Sequence, residues 1–443
     1  MARNHDEADK AGGFGEDGAA RGNPYPLPED YAASSFGPNG SLNVQIERSS
    51  VQASIGQCSD RASDTDHMVG KGLEAGLPNL YAHLLNAILT TVLLIEVMRR
   101  VAPGFRLVDL PDLRKQHEGA VPLCGGLAIF GAFLITALGF DGHHEVPWYM
   151  AAGIGILVLT GAADDRWGLR AATRLIIQLC AALLLILPGM SLSIHLGYVG
   201  ELPVLLSPLL GGALAVVFLV GSVNAINMLD GIDGLAGASI AAALFWLALI
   251  AAHVGDTDVV LQALVLLAAT IGFLVFNMRH PWRSKASVFL GDAGSAMLGA
   301  FLAYFVVRLS TGSSVAFVSA LWILVIPFMD TLSLIMRRIA ARRSPFSPDR
   351  MHLHHLLVDR GMPHAQAAVL IAGVSALCGA VGYFGILFGI PDILMALGLA
   401  IPVAAHVAAV TALTGAGRSS NVQPAGNAGF VRRDTPPVMG GGQ

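Results

Sequence analysis

The chain has 443 residues, of which 54% are hydrophobic and 13% charged. Soluble globular proteins carry about 25% charged residues, and the shortage is uneven: residues 1–77 hold 18 of the 58 Asp, Glu, Lys and Arg residues. The remaining 366 residues keep 40, too few to wet the surface of a domain that size, so a single soluble enzyme is excluded. The net charge of −4 belongs to that N-terminal stretch, which has 12 acidic and 6 basic residues. Cys58, Cys124, Cys180 and Cys378 are far apart and form no CxxC, so neither a disulfide framework nor a zinc site follows from them.

In chain order, residues 1–77 are rich in Gly, Ser, Asp and Pro, lack an apolar period, and read as a disordered tail. No apolar stretch follows the first basic residues, so they do not read as a signal peptide. Met68 stands shortly before the first apolar run and offers an alternative start, which would make the tail a mis-called one. Residues 78–415 form the membrane-embedded domain, and 416–443 read as a disordered C-terminal tail.

A membrane-crossing helix needs about 20 mostly apolar residues. Eleven stretches qualify: about 79–98, 121–140, 147–163, 173–190, 203–223, 235–254, 258–278, 294–308, 315–336, 364–388 and 392–414. Backbone groups in lipid must be satisfied within the segment, which makes these helices and not open strands. The expected fold is therefore all-α, a polytopic integral membrane protein of about eleven helices.

Lys and Arg set its orientation. The odd-numbered loops, with the C-terminal tail, hold 20 of the 21 basic residues after position 77, and Arg308 is the exception. Those loops and the C-terminus are expected in the cytoplasm.

The same loops carry the chemistry. Arg114-Lys115-Gln116-His117 occupies the first. Asp164 and Asp165 adjoin where the third helix leaves the membrane; paired carboxylates repel unless a cation or a shared proton relieves them. This suits a metal-dependent or general-base site, and a solvated helix end is the plainer alternative. Asn224, Asn227 and Asp230 recur at i, i+3, i+6 and would line one face if the fifth helix continues. An Asx-rich turn would also account for them. Asp292 lies near membrane depth between an apolar stretch and a small-residue helix, where an ionisable group is a functional candidate. Asp330 earns the same argument more weakly, since pairing with Arg337 would explain it. His352, His354 and His355 sit in the most basic loop. HxHH matches no common zinc pattern, and with Arg342, Arg343 and Arg350 nearby the segment suits phosphate oxygens.

No P-loop is present: Gly70-Lys71 is followed by Gly72. HExxH, GxSxG and dinucleotide fingerprints are also missing. An apolar bundle edged with carboxylates, amides, Arg and His points to a lipid-like partner, a hard divalent cation and a phosphate-rich substrate. Phosphoryl transfer at the membrane surface fits these groups. A secondary transporter is the competing class, and it predicts acids near the midplane and paired half-sequences.

The segments DDRWGL, NAINMLDGIDGLAG, VFLGDAGS and SPFSPDRMHLHHLL, in this order across about residues 80–415, resemble the polyprenyl-phosphate N-acetylhexosamine-1-phosphate transferases of glycosyltransferase family 4. The last segment is similar to the branch that acts on undecaprenyl phosphate and UDP-GlcNAc. It lacks the consecutive histidines of the phospho-N-acetylmuramoyl-pentapeptide transferases, the alternative branch. The resemblance implies an eleven-helix phosphotransferase of the bacterial inner membrane with a cytoplasmic site. It would make undecaprenyl-diphosphate-linked N-acetylhexosamine and UMP, the first membrane step of a cell-surface polysaccharide. It implies Mg²⁺ (or Mn²⁺) on Asn227 and Asp292, and a base or lipid-phosphate locus at Asp164 and Asp165. Substrate contacts are implied at Lys115, Asn224, Asp230, Asp233, Arg350, His352, His354 and His355. The expected partners are undecaprenyl phosphate, a UDP-N-acetylhexosamine, membrane lipid and a second copy in a homodimer, with no nucleic-acid polymer.

Overall fold

The computed structural model describes residues 80–110, 119–137, 139, 146–188, 193–312, 315–342, 344 and 351–415. All of them belong to one compact unit, Gly76–Gln443. Both expected tails lie outside the described residues.

Among the described residues, seven helical stretches are long and apolar enough to cross a membrane. They are α1 (Leu80–Val101), α5 (Pro208–Leu229), α6 (Leu235–Val254), α7 (Thr257–Asn277), α8 (Gly291–Gly312), α12 (His364–Leu387) and the stretch Asp392–Thr414. The last comprises α13 (Asp392–Gly398) and α14 (Ala400–Gly415). Two shorter apolar helices, α2 (Gly125–Ala137) and α4 (Ala171–Ile186), flank α3 (Trp148–Trp167). The protein is thus mostly helical and of the multi-pass membrane class.

Three expectations need correction. The span expected at 315–336 is broken: α9 (Phe317–Ala320) and a 3-10 turn at Leu321–Ile323 meet α10 (Val325–Ala340) at 86°. Pro327 explains the break. In a continuous helix its ring would collide with the carbonyl of Ile323, whereas in the first turn of a new helix its missing N–H costs nothing. The fifth helix begins at Pro208 and not near 203, because Leu202–Leu205 (β4) pairs antiparallel with His195–Val199 (β3) in a hairpin. A second small pair joins Val108–Asp109 (β1) to Val121–Pro122 (β2), so the fold is not purely α. At its other end α5 runs past 223 to Leu229, which puts Asn224 and Asn227 on the helix.

Helix α8 is the centre of the bundle: 94% of its apolar stretch is enclosed, against 17% for α1. Lipid tails are as apolar as leucine, so helices in a bilayer associate by close packing of small residues. The start of α8 is built for this. Gly126 of α2 touches Gly294 backbone to backbone, and Gly161 of α3 lies against the backbone of Asp292 and Ala293. Gly299 meets Ser222 and Val223 of α5, where the Ser222 hydroxyl donates to the Gly299 carbonyl at 2.9 Å. The amides of Gly125 and Gly126 donate to the carbonyls of Phe289 and Leu290 at 3.0 and 2.9 Å. Together these contacts seat the first turn of α8 where α3 and α5 end.

Candidate active site

Four helix termini meet at this edge. Asp164 ends the apolar part of α3; its Oδ1 accepts from the Leu169 amide at 2.6 Å and its Oδ2 from Arg174 Nη1 of α4 at 2.5 Å. The same Arg174 nitrogen lies 3.8 Å from Asp292 Oδ2, so one guanidinium spans two carboxylates. Asn227 of α5 donates from Nδ2 to Asp292 Oδ1 at 2.6 Å and to Ser295 Oγ at 3.0 Å. One turn earlier, Asn224 donates to Gln178 Oε1 of α4 at 2.8 Å. Asp164, Arg174, Gln178, Asn224, Asn227 and Asp292 line a cleft between α3, α4, α5 and α8, together with Leu157, Val223 and Ala296.

The two aspartates of the pair are not equivalent. Asp165 turns away from the cleft and accepts from the amides of Asp292 at 3.0 Å and Ala293 at 3.4 Å. It caps the first turn of α8, where amides lack helical partners.

Asp230 ends α5, and burial of its carboxyl pushes it up to about 7, with the nearby Asp165 and Asp233 charges adding to the effect. Asp233 accepts from Arg279 Nε at 2.7 Å and from the Ala286 amide at 3.1 Å, which ties the turn after α5 to the segment before α8. Gly231 faces His354 so closely that a methyl group would have no room. That contact joins the Asn/Asp turn to the histidine segment, where α11 (Leu353–Asp359) begins. The rings of His352 and His354 stack 5.6 Å apart at 9°, and His355 lies 4.3 Å from His354. Ten of the twelve site residues read from the sequence are thereby placed at one edge of the bundle; Lys115 and Arg350 lie outside the described residues.

The donors around Asn227 and Asp292 are carboxylate, amide and hydroxyl oxygens, the hard ligand class that suits Mg²⁺ or Mn²⁺. Among the described residues no group of three or more His, Cys, Asp or Glu side chains is arranged as a metal cage. Mg²⁺ is commonly held by one or two protein oxygens together with water and substrate phosphates, and this donor set fits that mode.

The sequence profile of glycosyl transferase family 4 matches residues 147–310, from the start of α3 nearly to the end of α8. The chain is 34% identical over 337 residues to an undecaprenyl-phosphate alpha-N-acetylglucosaminyl 1-phosphate transferase of Haemophilus influenzae, covering 75% of this chain and 93% of that protein. The chain belongs to that family. Proteins of the same description from Escherichia coli and Pasteurella multocida are 33% and 34% identical, over 68% and 73% of this chain and 82% and 90% of theirs.

In this family member the motif-based reading missed several partners. Arg174 and Gln178 are one helical turn apart on α4 and both face the cleft, an i, i+4 pairing visible in the sequence. Ser295 was legible only as part of a segment. Arg279, the partner of Asp233, had no local signal, because 46 residues separate the two.

Proposed function

We propose that the protein transfers GlcNAc-1-phosphate from UDP-GlcNAc to undecaprenyl phosphate, releasing UMP and leaving undecaprenyl-diphosphate-linked GlcNAc. One juxtaposition carries the reading: the Asp164–Arg174–Asp292–Asn227 cluster shares one narrow cleft with the apolar side chains of Leu157, Val223 and Ala296. Such a cleft suits an acceptor with a charged head and a hydrocarbon tail.

In the mechanism, an oxygen of the lipid phosphate attacks the β-phosphorus of the donor. A new P–O bond forms as the bond to the α-phosphate bridging oxygen breaks, and the electron pair leaves with UMP. Arg174 receives the lipid phosphate as its guanidinium exchanges a carboxylate for phosphate oxygens. Asp164 orients Arg174 and accepts a proton if the phosphate arrives as the monoanion. Asp165 holds the first turn of α8, and so Asp292, in register. Asn224, Asp230, Asp233 and the His352–His355 segment face the nucleotide sugar, with Lys115 and Arg350 as further phosphate contacts. Asn227 and Asp292 would hold Mg²⁺ (or Mn²⁺), which when bound supplies the charge that neutralises the diphosphate.

The same reading sets the protein in the bacterial inner membrane with this edge and the C-terminus cytoplasmic. Adding α2, α3, α4 and the bent α9–α10 pair to the seven long stretches makes eleven spans. The product would open synthesis of a cell-surface polysaccharide. Homodimer formation belongs to this proposal and is read by mass in detergent. The deciding assay supplies UDP-GlcNAc and undecaprenyl phosphate to membranes carrying the protein. UMP and a lipid-linked sugar are expected, with turnover lost to EDTA and no product from UDP-MurNAc-pentapeptide. Membranes that yield no UMP would overturn the reading.

A further inference from the structure

The histidine segment is held in place by α10. Three consecutive residues are involved: Arg337 Nη2 donates to the Met351 carbonyl at 2.8 Å, His352 Nδ1 lies 2.8 Å from Asp330 Oδ2, and the Leu353 amide donates to Asp330 Oδ1 at 3.0 Å. Asp330 is 4% exposed and stands outside the cleft that holds Asp164 and Asp292. From the other side His406 Nε2 of α14 approaches Asp330 Oδ1 to 3.7 Å. The far end of α11 is tied to the same helix, where the Arg360 guanidinium donates to the Leu413 carbonyl.

A carboxylate this enclosed is costly unless its oxygens are satisfied, and here each oxygen has a donor of its own. An ionised carboxylate only accepts, so Nδ1 of His352 must carry the proton, which fixes the tautomer and the ring plane. That plane is passed on. The His352 ring stacks on His354, and His354 packs on Gly231, next to Asp230. A carboxylate on α10 is therefore connected through two imidazoles to the Asn/Asp turn.

We propose that Asp330 is a positioning residue for the sugar nucleotide: by fixing the His352 ring it seats His354 against the turn after α5 and so shapes the donor-binding face. This rests on the assignment of the histidine segment to the donor made above. Purely structural capping of α11 would require only the Leu353 contact. The extra bond to His352 Nδ1 is what the proposal explains.

The test compares Asp330→Asn with the parent in the full-length protein in detergent. Asn keeps an acceptor for the Leu353 amide but turns a donor toward His352, which reverses the tautomer demanded of the ring. The expected result is a rise of tenfold or more in KM for UDP-GlcNAc, with KM for undecaprenyl phosphate and the thermal midpoint nearly unmoved. In a His352→Gln background the same change should add less than twofold, because the residue it works through is gone. Asp330→Glu, which retains the carboxylate, should restore much of the donor affinity. An unchanged donor KM overturns the proposal, and so do effects that multiply in the double variant. If Asp330→Asn fails to fold, His352→Gln alone must reproduce the donor KM rise, and its failure to do so is equally fatal. A parent protein that never turns over UDP-GlcNAc would overturn the donor reading itself. Normal parental turnover with an unmoved variant KM overturns only the role of Asp330.

Discussion

Asp165 and Asp292 are 127 positions apart, yet the side chain of the first binds the backbone of the second: Asp165 Oδ1 accepts from the Asp292 amide at 3.0 Å. The carboxylate of α3 thereby sets the start of α8, and with it the direction in which the Asp292 side chain meets Asn227. The neighbour Asp164 has a different task, facing the cleft and Arg174. An adjacent pair that looks symmetrical in sequence divides into one residue that builds the site and one that lines it.

This division predicts different outcomes for the two alanine variants. Asp165→Ala removes a helix cap, a loss of about 0.5–2 kcal/mol, and should lower the thermal midpoint in detergent. Asp164→Ala should leave the midpoint closer to that of the parent while UMP release falls steeply. An Asp165→Ala midpoint equal to that of the parent would show that the capping contact contributes nothing.

Asp292→Ala should abolish UMP release while the protein stays folded in the membrane. Loss of the metal ligand proposed at Asp292 is expected to cost several kcal/mol in the transition state, about 100-fold or more in rate. Binding of Mn²⁺, followed by electron paramagnetic resonance, should weaken in parallel. Retained turnover would remove Asp292 from the metal assignment.

Close backbone contact at the first turn of α8 gives a prediction on folding. Gly126 and Gly161 both face backbone atoms of residues 292–294, which cannot swing aside as a flexible side chain could. Gly126→Ala and Gly161→Ala should each cost about 1–3 kcal/mol, the usual price of overpacking. Gly255→Ala, where no atom lies in the way, is a control for space but carries a positive φ of 78°, so Gly373→Ala is the better comparison. Detergent melts of the three variants would rank them.

Asp230 gives a pH dependence with a definite sign. Its carboxyl is pushed up to about 7 from an ordinary 3.8, so between those values the folded protein keeps a proton that the unfolded chain has lost. Stability referred to this group is therefore undiminished below about pH 4 and declines as pH rises toward 7. Asp230→Asn should match the parent in thermal midpoint near pH 4 and exceed it at pH 8, while losing activity. A variant less stable than the parent at pH 8 would contradict the sign.

Much of this was readable from the chain itself. Long apolar runs interrupted by short polar loops locate helices because lipid leaves the backbone no other way to pair. The one-sided distribution of Lys and Arg singles out a face, and the carboxylate, amide and imidazole segments on that face are the ones the fold gathers. Pro327 also announced the break in the ninth helix, although residues 315–336 were read through it as one span. The β3–β4 hairpin was missed because its residues, Leu202–Leu205, are as apolar as the helix that follows.

What the tertiary structure decided was which polar groups pair. Asp330 bonds to His352 across 22 residues and not to Arg337 one face along its own helix, whose guanidinium instead reaches the Ser333 and Met351 carbonyls. Asp165 turns to the amides at the start of α8 while Asp164 turns to Arg174, and Arg174 reaches the site because α4 packs beside α5. Composition and spacing report on one segment at a time, because helix formation and membrane insertion depend on neighbours in sequence. Partnership between carboxylates, amides and guanidinium groups depends on how helices distant in sequence rotate and approach, and glycine contacts such as Gly126 with Gly294 set that approach.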